Sequence, residues 1–142
     1  MNLVTATILI WLGSNVATDD AWALFARVSF KPQFFKEYDQ SFLVPDFRSE
    51  ILSRKGQEIT LQGHYMPIEM ERNTIVISKF PYAACFFCGG AGPESVAEVV
   101  FATKPPKFKV DQVIKVKGKL ALNDNDVNHL NFIIQEAVLI TP

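Results

Sequence analysis

QEITLQGHY, Gln57 to Tyr65, is the stretch from which the fold follows. Ile59, Leu61 and Tyr65 alternate with Thr60, Gln62 and His64, the period of two of a half-buried strand. Gly63 sits inside that run, where a glycine marks a bulge or a tight bend. A first strand kinked in this way suits a sheet that must close on itself.

Four more strands lie downstream. Met66, Pro67 and Ile68 lead to a turn at Glu71 to Asn73, and TIVISK (Thr74 to Lys79) is the second strand. SVAEVVFA (Ser95 to Ala102) is the third, and Pro105 and Pro106 lie in the linker after it. The fourth runs Gln112 to Leu122, with Ile114, Val116 and Leu120 on one face and Lys115, Lys117 and Lys119 on the other. Asn123 to Asp126 is a hairpin turn. The fifth runs Leu130 to Ile140, with Phe132 and Ile134 in step and a phase change near Glu136. The expected fold is all-β: a five-stranded barrel over residues 57–142 resembling the oligonucleotide/oligosaccharide-binding (OB) barrel. Thr103 to Asp111 leaves no room for the helix usual between its third and fourth strands.

Upstream, residues 18–56 read as an N-terminal aromatic strap and one short helix. Trp22, Phe25, Phe30, Phe34, Phe35, Tyr38 and Phe42 fit no long period, and Ala21 to Phe30 is compatible with a strand. Pro32 and Pro45 break the segment beyond Phe30. The helix, about Phe47 to Lys55, takes Asp46 as N-cap and Gly56 as its stop, with Phe47, Ile51 and Leu52 as its apolar stripe. It is the candidate plug for the barrel. Residues 1–17 read as a secretory signal: Leu3 to Leu12 is apolar, uncharged and too short to span a bilayer. A buried first strand or helix is the alternative. Cleavage near Ala17 leaves an exported, periplasmic chain without a transmembrane span.

Composition bounds the function. Of 142 residues, 49% are hydrophobic and 20% charged, as in an ordinary globular domain. A net charge of -1 argues against nucleic acid as the partner, since gripping phosphates takes a basic excess. The lysines between Lys104 and Lys119 read as a solvated strand face.

The chemistry concentrates at Cys85-Phe86-Phe87-Cys88-Gly89-Gly90, which holds both cysteines of the chain. A C-x-x-C pair is half of a zinc site, or it closes as a disulfide, or it stays as two buried thiols. Flanking glycines let backbone amides turn toward sulfur and stabilise thiolate. In an OB barrel the third and fifth strands are parallel neighbours, so the cysteine loop and the Asn123–His129 turn share one end. His129 is therefore the candidate third ligand beside Cys85 and Cys88, with Asp124 or Asp126 as further donors. His64, in mid-strand, is a poorer candidate. A dimer joining two such pairs is a second route to four ligands. A thioredoxin-type role needs a helix directly after the pair, which Gly89 to Pro93 does not favour. Gly89-Gly90-x-Gly92 lacks the Lys-Ser/Thr of a phosphate loop, and Asp124-x-Asp126 lacks the glycine of a calcium loop.

CFFCGGAGPESV (Cys85 to Val96), Gly63-His64-Tyr65-Met66-Pro67 and Ile77-Ser78-Lys79-Phe80-Pro81 together resemble an uncharacterised family of small exported bacterial domains. The resemblance spans roughly Trp22 to Ile140. Some relatives are encoded beside zinc-responsive ABC-transporter genes. This implies an extracytoplasmic metal-handling role, with Cys85 and Cys88 as ligands and a membrane transporter or another envelope protein as partner. The expected function is a non-enzymatic zinc-binding accessory. A thiol/disulfide redox protein and a disulfide-stapled binding or scaffold module are the alternatives.

Overall fold

The computed structural model describes residues 20–140. The signal reading of residues 1–17 lies outside the described residues. The order of elements is α1 (Ala21–Phe25), β1 (Ser29–Phe35), β2 (Gln40–Asp46), α2 (Ser49–Leu52), β3 (Glu58–Met66), β4 (Thr74–Ser78), β5 (Val96–Phe101), β6 (Val113–Leu122) and β7 (Phe132–Ile140).

Five strands close into a barrel in the order β3-β4-β5-β7-β6. Counted from β3 this is 1-2-3-5-4, the expected OB-like arrangement, with β5 and β7 as its parallel pair. Period-two patterning drives the closure. Ile59, Leu61, Ile77, Val99, Ile114, Val116, Leu120, Phe132 and Ile134 are all buried in one core. Lys117 and Lys119 point outward and pair with Glu58 and Glu136 at 3.5 Å and 2.8 Å. The solvated reading of that lysine face therefore holds for these two.

The two irregular positions have different causes. At Gly63 the register runs unbroken from β6 to β4, so there is no bulge. A Cβ there would lie 2.5 Å from the Ser78 carbonyl oxygen and 3.2 Å from the Trp22 ring. The glycine serves close approach. The bulge lies on the next strand pair, where the β6–β7 register shifts between Lys117 and Lys119 and Glu136 takes φ 50°. That is the phase change expected at Glu136.

The N-terminal segment departs from the sequence expectation. Ala21 to Phe25 is a helix, not a strand, capped by Asp20, whose Oδ1 accepts from the Trp22 amide at 3.2 Å. Ala21, Trp22, Leu24 and Phe25 share the helical spacing that brings all four into the core. The rest of the strap is an ordered antiparallel hairpin, β1 on β2. Pro32 and Pro45 are tolerated because each strand of a two-stranded sheet has a free edge. Asp39, at φ 51°, makes the turn without glycine.

The later helix is shorter than expected. It begins after Arg48, which takes the N-cap position in place of Asp46; the Asp46 carboxylate instead pairs with the Arg48 guanidinium at 3.0 Å. Ile51 is buried but Leu52 faces solvent, so Leu52 leaves the apolar stripe. The helix ends at Leu52 with Ser53 as its C-cap, short of the expected stop; Gly56, at φ 79°, ends the turns that follow it. The barrel core is closed mainly by α1. Phe25 stacks on Phe132 with ring centroids 4.1 Å apart, and the Trp22 indole N–H donates to the Gln62 carbonyl at 2.7 Å. Phe30 and Phe47 meet the edges of Phe132 at 6.4 Å and 6.0 Å.

Candidate functional site

The wall formed by β4 and β5 is buried on both faces. Ile75, Ile77, Ala97 and Val99 face the barrel core. Val76, Ser78, Val96 and Glu98 share the opposite face by register, and they are buried as well. Their cover is shared between the segment that joins β4 to β5 and the turn before β7, whose His129 and Leu130 meet Glu98. Cys85, fully buried, joins Met66, Val76 and Val96 in a second apolar cluster, and Phe86 and Leu130 pack against it. OB barrels bind oligonucleotides on the face of their second and third strands. Here those strands are β4 and β5, and the cysteine segment lies over that face.

Within this segment, Phe86–Cys88 forms one turn of 3-10 helix, ended by Gly89 in the left-handed region at φ 78°. The Cys88 and Gly90 amides both donate to the Cys85 carbonyl, at 3.2 Å and 3.0 Å, and the Gly89 amide donates to the Phe86 carbonyl. These three amides thus close the backbone turn instead of facing sulfur, contrary to the sequence expectation. Gly90 is required sterically, since a Cβ there would lie 2.8 Å from the Ala84 carbonyl group.

The turn brings the two sulfurs to 3.5 Å, as free thiols. Cys85 is buried and Cys88 is exposed, so the pair is approached from the Cys88 side. The hydrogen bond to Cys85 pushes the Cys88 thiol above its usual range, and desolvation and the charge of Cys85 push the same way. Two thiolates on one tetrahedral zinc stand about 3.8 Å apart when Zn–S is about 2.3 Å. A disulfide needs about 2.05 Å. The observed spacing is that of two thiols in contact and lies between the two values.

His129 lies at the barrel end expected for it, but its partner is Glu98. Its Nδ1 is 3.0 Å from Glu98 Oε1, while Glu98 Oε2 accepts from the Leu130 amide at 2.7 Å. The Glu98 hydrogen bond raises the His129 pKa. Desolvation opposes this, and the charges of Glu98, Asp126 and Glu71 reinforce it. Among the described residues, no group of three or more His, Cys, Asp or Glu side chains gathers in a metal-holding arrangement. Cys85 and Cys88 are brought together; His129 is not grouped with them. His64 Nδ1 lies 3.2 Å from the Asp111 carbonyl.

Sequence reasoning misses Glu98, although a signal for it exists. It is the only charged residue in Ser95 to Ala102 and lies in a strand otherwise suited to burial. A carboxylate in such a place needs donors, and here it has two. Among the described residues, no helix is long and apolar enough to cross a membrane. No family model, curated protein or solved structure matches the chain.

Proposed function

We propose that this protein is an extracytoplasmic, non-enzymatic metal-binding accessory. It holds a thiophilic ion, zinc in the first instance, between Cys85 and Cys88 and exchanges it with a transporter or another envelope protein. The observation that carries this reading is the free thiol pair, with its sulfurs 3.5 Å apart and one of them exposed. Sulfur donors suit both zinc and copper(I), so zinc is favoured by the family resemblance and not by the donors alone. Two thiolates fill half of a tetrahedral shell. The remaining positions stay open to solvent or to a partner's ligands, which suits exchange better than permanent structural binding. Export rests on the reading of residues 1–17 and on the same resemblance.

A dithiol redox role is supported less well. A reactive C-x-x-C opens a helix that lowers the first thiol's pKa, whereas here a single turn of 3-10 helix over Phe86–Cys88 is ended by Gly89. The test is metal analysis and thiol titration of protein purified from its native compartment. One zinc per chain, lost in both Cys85→Ser and Cys88→Ser, is expected. A metal-free chain with a readily reducible disulfide would transfer the assignment to redox chemistry. A metal-free disulfide that resists reduction would leave a stapled scaffold.

A further inference from the structure

We propose that the Nε2 atom of His129 and the carboxylate of Asp126 form a second metal site, independent of the thiol pair. It suits a borderline divalent ion such as zinc, nickel or copper(II), for which imidazole is a preferred donor. Most surface histidines rotate freely, but this ring is held. Glu98 is 1% exposed and fixed through its second oxygen by the Leu130 amide, so its first oxygen is a stationary acceptor for Nδ1. A carboxylate can only accept, so the proton of the neutral ring sits on Nδ1 and the Nε2 lone pair faces outward. This carboxylate–histidine pairing orients metal-binding imidazoles and raises their basicity.

The second donor is at hand. Asp126 Oδ1 accepts from the Asn128 amide at 2.9 Å and from its side-chain nitrogen at 3.1 Å. Oδ2 lies 4.0 Å from His129 Nε2. An imidazole nitrogen and a carboxylate oxygen on one tetrahedral ion stand about 3.4 Å apart. The difference is within a small side-chain rotation, and both groups are substantially exposed. They border a cleft of about 90 Å³ between the β1–β2 hairpin, with Phe42 and Val44, and the turn carrying Asp124. Waters can complete the shell there, and Asp124 adds negative charge. A proton competes for Nε2, so metal affinity rises with pH.

The test removes the thiols first. Zinc or nickel(II) is titrated into Cys85→Ser/Cys88→Ser protein at about pH 8, above the ordinary imidazole range. The His129 Nε2 nitrogen resonance is followed, and circular dichroism checks the fold. One equivalent is expected, with a shift confined to Nε2. His129→Gln should abolish binding while keeping a donor for Glu98. Asp126→Asn should weaken it about 10-fold and Glu98→Gln, a positioning change, about 10- to 100-fold. No binding by the folded thiol-free chain, or binding unchanged in His129→Gln, overturns the proposal. Because sulfur is absent throughout, these outcomes do not depend on the Cys85–Cys88 assignment.

Discussion

Replacing Gly63 with alanine sets two opposed effects against each other. Alanine reduces the conformational freedom of the unfolded chain, which alone stabilises by about 0.4–1 kcal/mol where the native backbone accepts it. Gly63 has no positive φ, so the backbone raises no objection. The space does. The new Cβ would lie 2.5 Å from the Ser78 carbonyl oxygen, an atom held in the β4 wall, and 3.2 Å from the Trp22 ring. Relief requires β3 and β4 to separate or α1 to lift. Overpacking of this kind costs about 1–3 kcal/mol. The steric effect should win, giving a net loss of about 1–2 kcal/mol, or about 2–8 °C in Tm for a chain of this size. Urea unfolding followed by the fluorescence of Trp22, in a Trp11→Phe background, measures both the stability and the seating of α1. The native emission should shift to the red as the indole loses its bond to Gln62. A Gly63→Ala protein as stable as the parent, with unchanged emission, would refute the claim that Trp22 and the Ser78 carbonyl occupy that space.

Thiol reactivity should separate the cysteines. Iodoacetamide should label exposed Cys88 well before buried Cys85 in folded, metal-free protein, and equal rates by mass spectrometry would contradict the burial of Cys85. His129 supplies a pH dependence. Its folded pKa is raised, chiefly by Glu98, so its protonated form stabilises the fold. That contribution is complete below the unfolded value of about 6.5 and disappears as pH rises through the folded value. Denaturation of wild type and His129→Gln should therefore differ most at about pH 5.5 and converge by about pH 9; a gap that widens with pH has the wrong sign. Glu98→Ala strands the Leu130 amide and His129 Nδ1, and a loss of about 1–3 kcal/mol is expected by urea denaturation. A change below about 0.5 kcal/mol, the range of an ordinary surface substitution, would show that those donors find other partners.

The barrel was legible because each of its strands carries its own alternation, and Ile114, Val116 and Leu120 are buried as the period required. The N-terminal segment was harder for two local reasons. Trp22 and Phe25 fit a short helix as readily as a strand, and only Asp20 marks where that helix starts. Pro32 and Pro45 signal a break in a chain considered alone, yet they are harmless on the free edges of a hairpin. At the candidate site, the parallel β5–β7 pair correctly put His129 and the cysteines at one end. Topology carries no information on side-chain partners, however. The buried carboxylate of Glu98 engages the Nδ1 side of the imidazole, and the Cys85 carbonyl takes the Cys88 and Gly90 amides.

Phe132 opens the last strand, yet it receives Phe25, Phe30 and Phe47, all from before the first barrel strand. Segments roughly a hundred positions apart must therefore meet before either is complete. A fragment starting at residue 57 would bare that aromatic socket to water and should self-associate. Removing the first fifty-odd residues would thus truncate one cooperative unit instead of releasing a smaller, self-sufficient one.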